Sequence, residues 1–173
     1  QNGGYVNFHT HDLRQGFPQH PDNSVDLIYL GQAIEHLNPI YEVPSLLKEC
    51  YRMLKPGGVL RITTPDLDLL ISAFLNGEMN KFAKEQPSFY THMDPASQLA
   101  LIMYGSAGAQ CTFENYEGHM FLFNRQSMER VIREAGFSEF VFYAESGQSL
   151  HETMKNEAVD EGMSHSFITE ARK

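Results

Sequence analysis

The chain has 173 residues, of which 42% are hydrophobic and 20% charged. That is the size and mix of one globular domain with enough core to need no disulfide or metal staple, and it excludes a disordered chain. A formal net charge of -9, with no lysine or arginine cluster to offset it, disfavours nucleic acid as a partner.

Cys50 and Cys111 are the only cysteines and form no framework. No signal peptide is visible in these residues, and no apolar run approaches the ~20 residues of a membrane span. The expectation is a soluble cytoplasmic domain with no membrane partner.

Gly3-Gly4 precede a strand-like run, Tyr5 to His9. Residues 12–24, with Gly16, Pro18 and Pro21, read as a loop. "VDLIYL" (25–30) is a nearly continuous apolar run that suits a strand buried on both faces of a parallel sheet. Val43, Leu46, Leu47, Cys50, Tyr51 and Leu54 then form one helical stripe, with Pro44 admissible only in the first turn. "KPGG" (55–58) stops that helix and turns the chain. "VLRITT" (59–64) is the next buried strand, which completes a βαβ unit with parallel strands.

Asp66 caps a helix facing inward through Leu67, Leu70, Ile71 and Phe74, ended by Asn76-Gly77. Residues 78–93 are polar and less regular. Asp94 and Pro95 open a further helix to about Tyr104. Gly105 and Gly108 bracket a turn, and 105–120 reads as a surface loop. Asn124 caps a helix from Arg125 to Ala135, with Met128, Val131, Ile132 and Ala135 inward and Gly136 closing it. "FSEFVFYAE" (137–145) and the alternating "HSFITEA" (165–171) read as strands, separated by a weakly amphipathic, helix-prone stretch at 148–160. The class is α/β, with the last two strands as an antiparallel pair.

His9 and His11 in "HTHD" alternate along a strand and face one side, an arrangement some metal-dependent hydrolases use. Those enzymes are usually barrels of about 250 residues. This chain has too few strands, and no metal is expected.

Three blocks in register, "VDLIYLGQAIEHL", "LLKECYRMLKPGGVLRITTPD" and "GHMFLFNRQSMERVIREAGFSEFVF", resemble the class I S-adenosylmethionine-dependent methyltransferases of the methyltransferase-domain type. "LKPGG" before a strand is the most specific piece. The resemblance implies a Rossmann-like, mostly parallel sheet with helices on both faces, in the order 3-2-1-4-5-7-6. Residues 1–173 are expected to form a single domain holding strands three to seven, with a variable acceptor-side insertion at about 77–120. Gly3-Gly4 precede a strand and open no helix, so they are not the nucleotide loop. The first two strands, with the glycine loop and the acidic ribose-binding end, are expected to lie upstream of Gln1. The strand at 25–30 would then have an open edge that invites the 5–9 strand, a second copy or a partner chain.

By the same resemblance Asp12, with Leu13 beside it, lies on the adenine side of the cofactor; the residues alone equally suit a loop cap or a pair with Arg14. Gly31 and Gln32 lie at the carboxyl end of a strand, where open α/β sheets bind ligands. Glu35-His36 match the family's "EH". His36 is a candidate general base, and the alternative is that Glu35 fixes the loop while His36 packs. Tyr104, Tyr116 and His119 fall in the region that shapes the acceptor pocket; His119 is a catalytic candidate or a loop anchor. The function implied is S-adenosylmethionine-dependent methyl transfer to a small-molecule acceptor. The alternative is a truncated, non-catalytic interaction or structural module.

Overall fold

The computed structural model describes residues 10–105, 118–143, 148–154 and 164–173. The expected strand at Tyr5–His9, Gly108, Cys111 and Tyr116 lie outside these.

Strand β1 (Val25–Gly31) leads through a 3-10 turn (Ile34–His36) into helix α1 (Glu42–Met53) and strand β2 (Leu54–Pro65). β1 and β2 pair in parallel, with Leu30 opposite Ile62 and Gly31 opposite Thr63. Helices α2 (Leu67–Leu75), α3 (Pro95–Tyr104) and α4 (Arg125–Ala135) follow, then strands β3 (Glu139–Tyr143) and β4 (Ser166–Arg172). The sheet order is β1-β2-β4-β3, and β4 runs antiparallel to both its neighbours. This is the 4-5-7-6 end of the expected order. β1 and β2 pair in parallel, and β4 inserts antiparallel between β2 and β3, so the last two strands form the expected antiparallel pair.

Most of the expected inward stripe of α1 is buried, Val43, Leu46, Leu47 and Cys50, joined by Met53, while Tyr51 is half-buried. Val43, Leu46, Leu47 and Cys50 pack with Leu60, Ile62, Phe167 and Ala171 of the sheet and with Met128, Val131, Ile132 and Ala135 of α4. Burial pushes the Cys50 thiol up to about 12, which leaves it inert. The other sheet face is met by residues 148–154, where Ser149 and Met154 are buried and the Gln148 carbonyl accepts from Arg61. A second cluster joins Leu70 and Ala73 of α2, Ile102 of α3, Leu122, and Met79, Phe82 and Tyr90 from the stretch that reads as polar in the sequence.

Four local expectations change. Leu54 begins β2 and does not end α1. "KPGG" does not turn the chain; it bulges out of β2, between the pairings Val25–Leu54 and Leu27–Val59. Gly57 takes a left-handed φ of 82° there, and Lys55 pairs with Asp26 at 2.8 Å. On α2 the inward position is Ala73 and not Ile71, which is exposed. β1, with one sheet neighbour among the described residues, is mostly half-buried, whereas the alternating β4 is buried on both faces because it is central.

Capping follows the sequence closely. Asn124 and Ser127 form a reciprocal capping box, and Gly136 closes α4 at φ 111°. The Asp66 carboxylate accepts from the Asp68 and Leu69 amides at 3.0 and 3.2 Å. Asp66→Ala is expected to cost about 1 kcal/mol of folding stability, read from the urea midpoint at unchanged slope; an unchanged midpoint would show the cap to be idle.

Candidate active site

The carboxyl ends of β1 and β2 lie side by side, and the polar groups gather there. Gly31 has no side chain, and a Cβ built on it would come within 2.6 Å of the Tyr29 hydroxyl. That hydroxyl lies 3.2 Å from the Thr63 hydroxyl. Gln32 takes a left-handed φ of 48°; its amide donates to the Thr63 carbonyl and its side chain to Ser166 at 3.1 Å. This turn delivers the chain into the 3-10 segment that carries Glu35 and His36.

Glu35 is fully buried. One carboxylate oxygen accepts from the Thr64 hydroxyl at 3.1 Å; the other, Oε1, is buried with no hydrogen-bond partner. Burial raises its pKa above the usual carboxylate range, an effect that a hydrogen bond to backbone, the nearby His36 and the Thr64 hydroxyl oppose. The Glu35 carbonyl accepts from the Met120 and Phe121 amides at 2.8 and 3.2 Å, and the His119 amide donates to the Tyr104 carbonyl at 3.1 Å. These bonds hold the stretch before α4 against the β1 turn and carry His119 over to His36. The two imidazole rings meet edge to face with centroids 4.9 Å apart.

His36 Nδ1 lies 3.2 Å from the Gly118 carbonyl. With Nδ1 donating there, Nε2 is left as the acceptor. His119 Nδ1 is buried without a partner. Burial first, and then the neighbouring His36, lower the His119 pKa to about 4, so its ring is neutral at neutral pH.

The structure thus brings Glu35, His36 and His119 together beside Gly31 and Gln32. Tyr104 contributes its carbonyl, while its side chain is exposed, as is that of Met120. Asp12 and Leu13 belong to a different neighbourhood. Leu13 opens a 3-10 turn to Gln15 that packs near α1. Asp12 caps that turn and takes both Nε and Nη2 of Arg14, at 2.8 and 2.9 Å. The hydrogen bonds from Arg14 hold its carboxyl below the usual range. The following loop is pinned to α1 by Arg52, which donates to the Phe17 and His20 carbonyls and pairs with Asp22 and Glu49. Tyr29, Thr63 and Thr64 were absent from the sequence-based candidates. Their position, at the ends of two strands joined by a parallel crossover, was the available signal.

The methyltransferase-domain family matches residues 1–62. A 46-residue stretch, 27% of the chain, is 44% identical to a probable S-adenosylmethionine-dependent methyltransferase of Mycolicibacterium smegmatis, of which it spans 17%. Among solved structures the chain is similar to a SAM-dependent methyltransferase from Archaeoglobus fulgidus, with TM-score 0.53 and 16% identity, over 99% of this chain and 70% of that one. It is also similar to a possible histamine N-methyltransferase from Thermotoga maritima, with TM-score 0.50 and 16% identity, over 92% of this chain and 61% of that one. At these identities the solved structures speak to the fold.

Proposed function

We propose, for a chain whose residues 1–62 match the methyltransferase-domain family, that it forms the acceptor side of an S-adenosylmethionine-dependent methyltransferase for a small molecule. The observation that carries this reading is the Glu35–His36–His119 cluster at the carboxyl ends of the parallel pair β1-β2, where α/β sheets take ligands.

The residues at this edge fit such a cofactor. Gly31 leaves the backbone bare, and the Gln32 turn presents main-chain groups beside it. The unpartnered Oε1 of Glu35 favours positive charge nearby. Gly31, Gln32 and Glu35 would hold the methionine side. Asp12 and Leu13 would serve the adenine side once Arg14 yields one carboxylate oxygen. The bound cofactor supplies a methyl group on a sulfonium, an electrophile that needs in-line approach more than a strong base. His36 accepts the acceptor's proton at Nε2 while Nδ1 stays on the Gly118 carbonyl, and neutral His119 lines the same space. Tyr104 adjoins the acceptor side through its carbonyl, and Tyr116, outside the described residues, stays a candidate from the sequence alone. The acidic surface favours a small acceptor over a polyanion.

Calorimetric titration of this chain with S-adenosylhomocysteine tests the reading. Saturable one-to-one binding is expected, weakened at least about tenfold by Gly31→Val, whose side chain displaces the Tyr29 hydroxyl. Absence of heat at millimolar ligand would reject cofactor binding by this chain. It would favour the second reading, a non-catalytic interaction module, which the engagement of Asp12 by Arg14 supports. In that case the side of β1 away from β2, which has no strand partner among the described residues, is where a second copy or a partner chain would pair.

A further inference from the structure

The polar groups of Glu35, His36 and His119 are left in an unusual state for a site lodged against the core. We infer that these three residues form a binding site for one divalent transition-metal ion of the zinc type, an inference that rests on the cluster's geometry and not on the cofactor reading. One ligand atom from each lies within 4.8 Å of the others. Two polar atoms of these residues, Glu35 Oε1 and His119 Nδ1, are buried without a hydrogen-bond partner. Buried polar atoms are ordinarily satisfied, and two orphans on residues of one cluster are met most simply by a shared partner.

The orphans are both lone-pair acceptors when Glu35 is ionised and His119 presents Nδ1 unprotonated. A cation satisfies two acceptors at once, where a protein donor would satisfy one. Two imidazoles and one carboxylate suit zinc or cobalt better than magnesium or calcium, which prefer oxygen. Three protein ligands leave a fourth position open, as in sites that bind an exogenous group. Ligand atoms around a tetrahedral zinc stand about 3.3 Å apart, so modest side-chain rotation closes the present arrangement.

Supporting contacts are already in place. The Thr64 hydroxyl donates to the other Glu35 oxygen. The Gly118 carbonyl engages His36 Nδ1 and so directs Nε2 to the ion. The Nε2 side of the His119 ring faces Gly105, where a Cβ would approach it at 3.3 Å, and this orients Nδ1 inward. Such outer partners fix tautomer and ring orientation in metal sites. With an ion bound, His36 is a ligand, so the proton-accepting role given to it above belongs to the metal-free chain.

The test is titration of chelator-stripped full-length chain with zinc by calorimetry and with cobalt by visible absorption. One equivalent of saturable binding and the intense cobalt band of a four-coordinate site are expected. His119→Gln and His36→Gln should each weaken binding by about 100-fold, and Thr64→Val by about 10-fold. His92→Ala, an exposed histidine outside the cluster, should leave it unchanged. Far-ultraviolet circular dichroism on each variant separates lost ligands from lost fold, and should Thr64→Val unfold, the two histidine variants carry the test. No one-equivalent binding, or binding that His119→Gln and His36→Gln leave intact, overturns the inference. S-adenosylhomocysteine titration of the stripped chain reports separately on the methyltransferase reading.

Discussion

Replacing Glu170 with glutamine is expected to lower folding stability by about 3–5 kcal/mol, the largest effect of any single change considered for this fold. Glu170 lies directly across the β2-β4 ladder from Arg61, the two side chains are fully buried, and they meet at 2.7 Å. The same carboxylate accepts from the Ser149 hydroxyl and the Leu150 amide, while Arg61 reaches the Gln148 carbonyl at 3.0 Å. Removing the negative charge takes the Glu170 carboxylate from a buried guanidinium and loosens the 148–150 segment from the sheet face it covers. Two apolar replacements together, Arg61→Met with Glu170→Leu, should recover most of the loss, because both charges of this buried pair are then removed. Urea unfolding of the single and double variants reads this directly. A single variant within about 1 kcal/mol of the parent would mean that the pair carries little.

This pair also marks where sequence reading ends. "HSFITEA" alternates like a half-exposed strand, yet β4 is central and its Thr169 and Glu170 are buried. Nothing local to residues 165–171 says that Arg61, 109 positions away, stands opposite. The same limit applies to the site. Periodicity and capping residues sufficed for α1, α3 and α4, since those signals are written within a dozen neighbouring residues. Glu35, His36 and His119 could each be named as candidates. Their meeting depends on backbone bonds from residues 119–121 to the Tyr104 and Glu35 carbonyls, which side-chain patterns do not encode. Ile71 and Ala73 fail in the same way. Apolarity pointed to Ile71, but the turn around Met79, Phe82 and Tyr90 decides which side of α2 is inside.

The second large effect is a loss of stability in acid traced to His119. Its folded pKa is lowered from 6.5 to about 4, chiefly by burial and then by its neighbours His36 and His165. An unfolded chain binds a proton on this histidine from its ordinary value downward, while the folded chain resists until the lower one. Between those two values the unfolded state therefore holds more protons, and stability falls as pH falls. Above the upper value the contribution is complete; below the lower one it is gone. With the ring partly exposed, the span is worth about 2 kcal/mol after solvent screening. Glu35 pulls the other way, since a carboxyl whose folded pKa is raised gains relative stability as it is protonated, so the measurement must isolate the histidine. Urea midpoints of the chelator-stripped chain, taken in steps from neutral pH down to the folded value, should slope downward in the parent. In His119→Gln that slope should flatten, with Glu35 unchanged in both. Parallel slopes in the two proteins would place the acid sensitivity elsewhere and would mean that His119 takes up its proton in the fold as readily as in the unfolded chain.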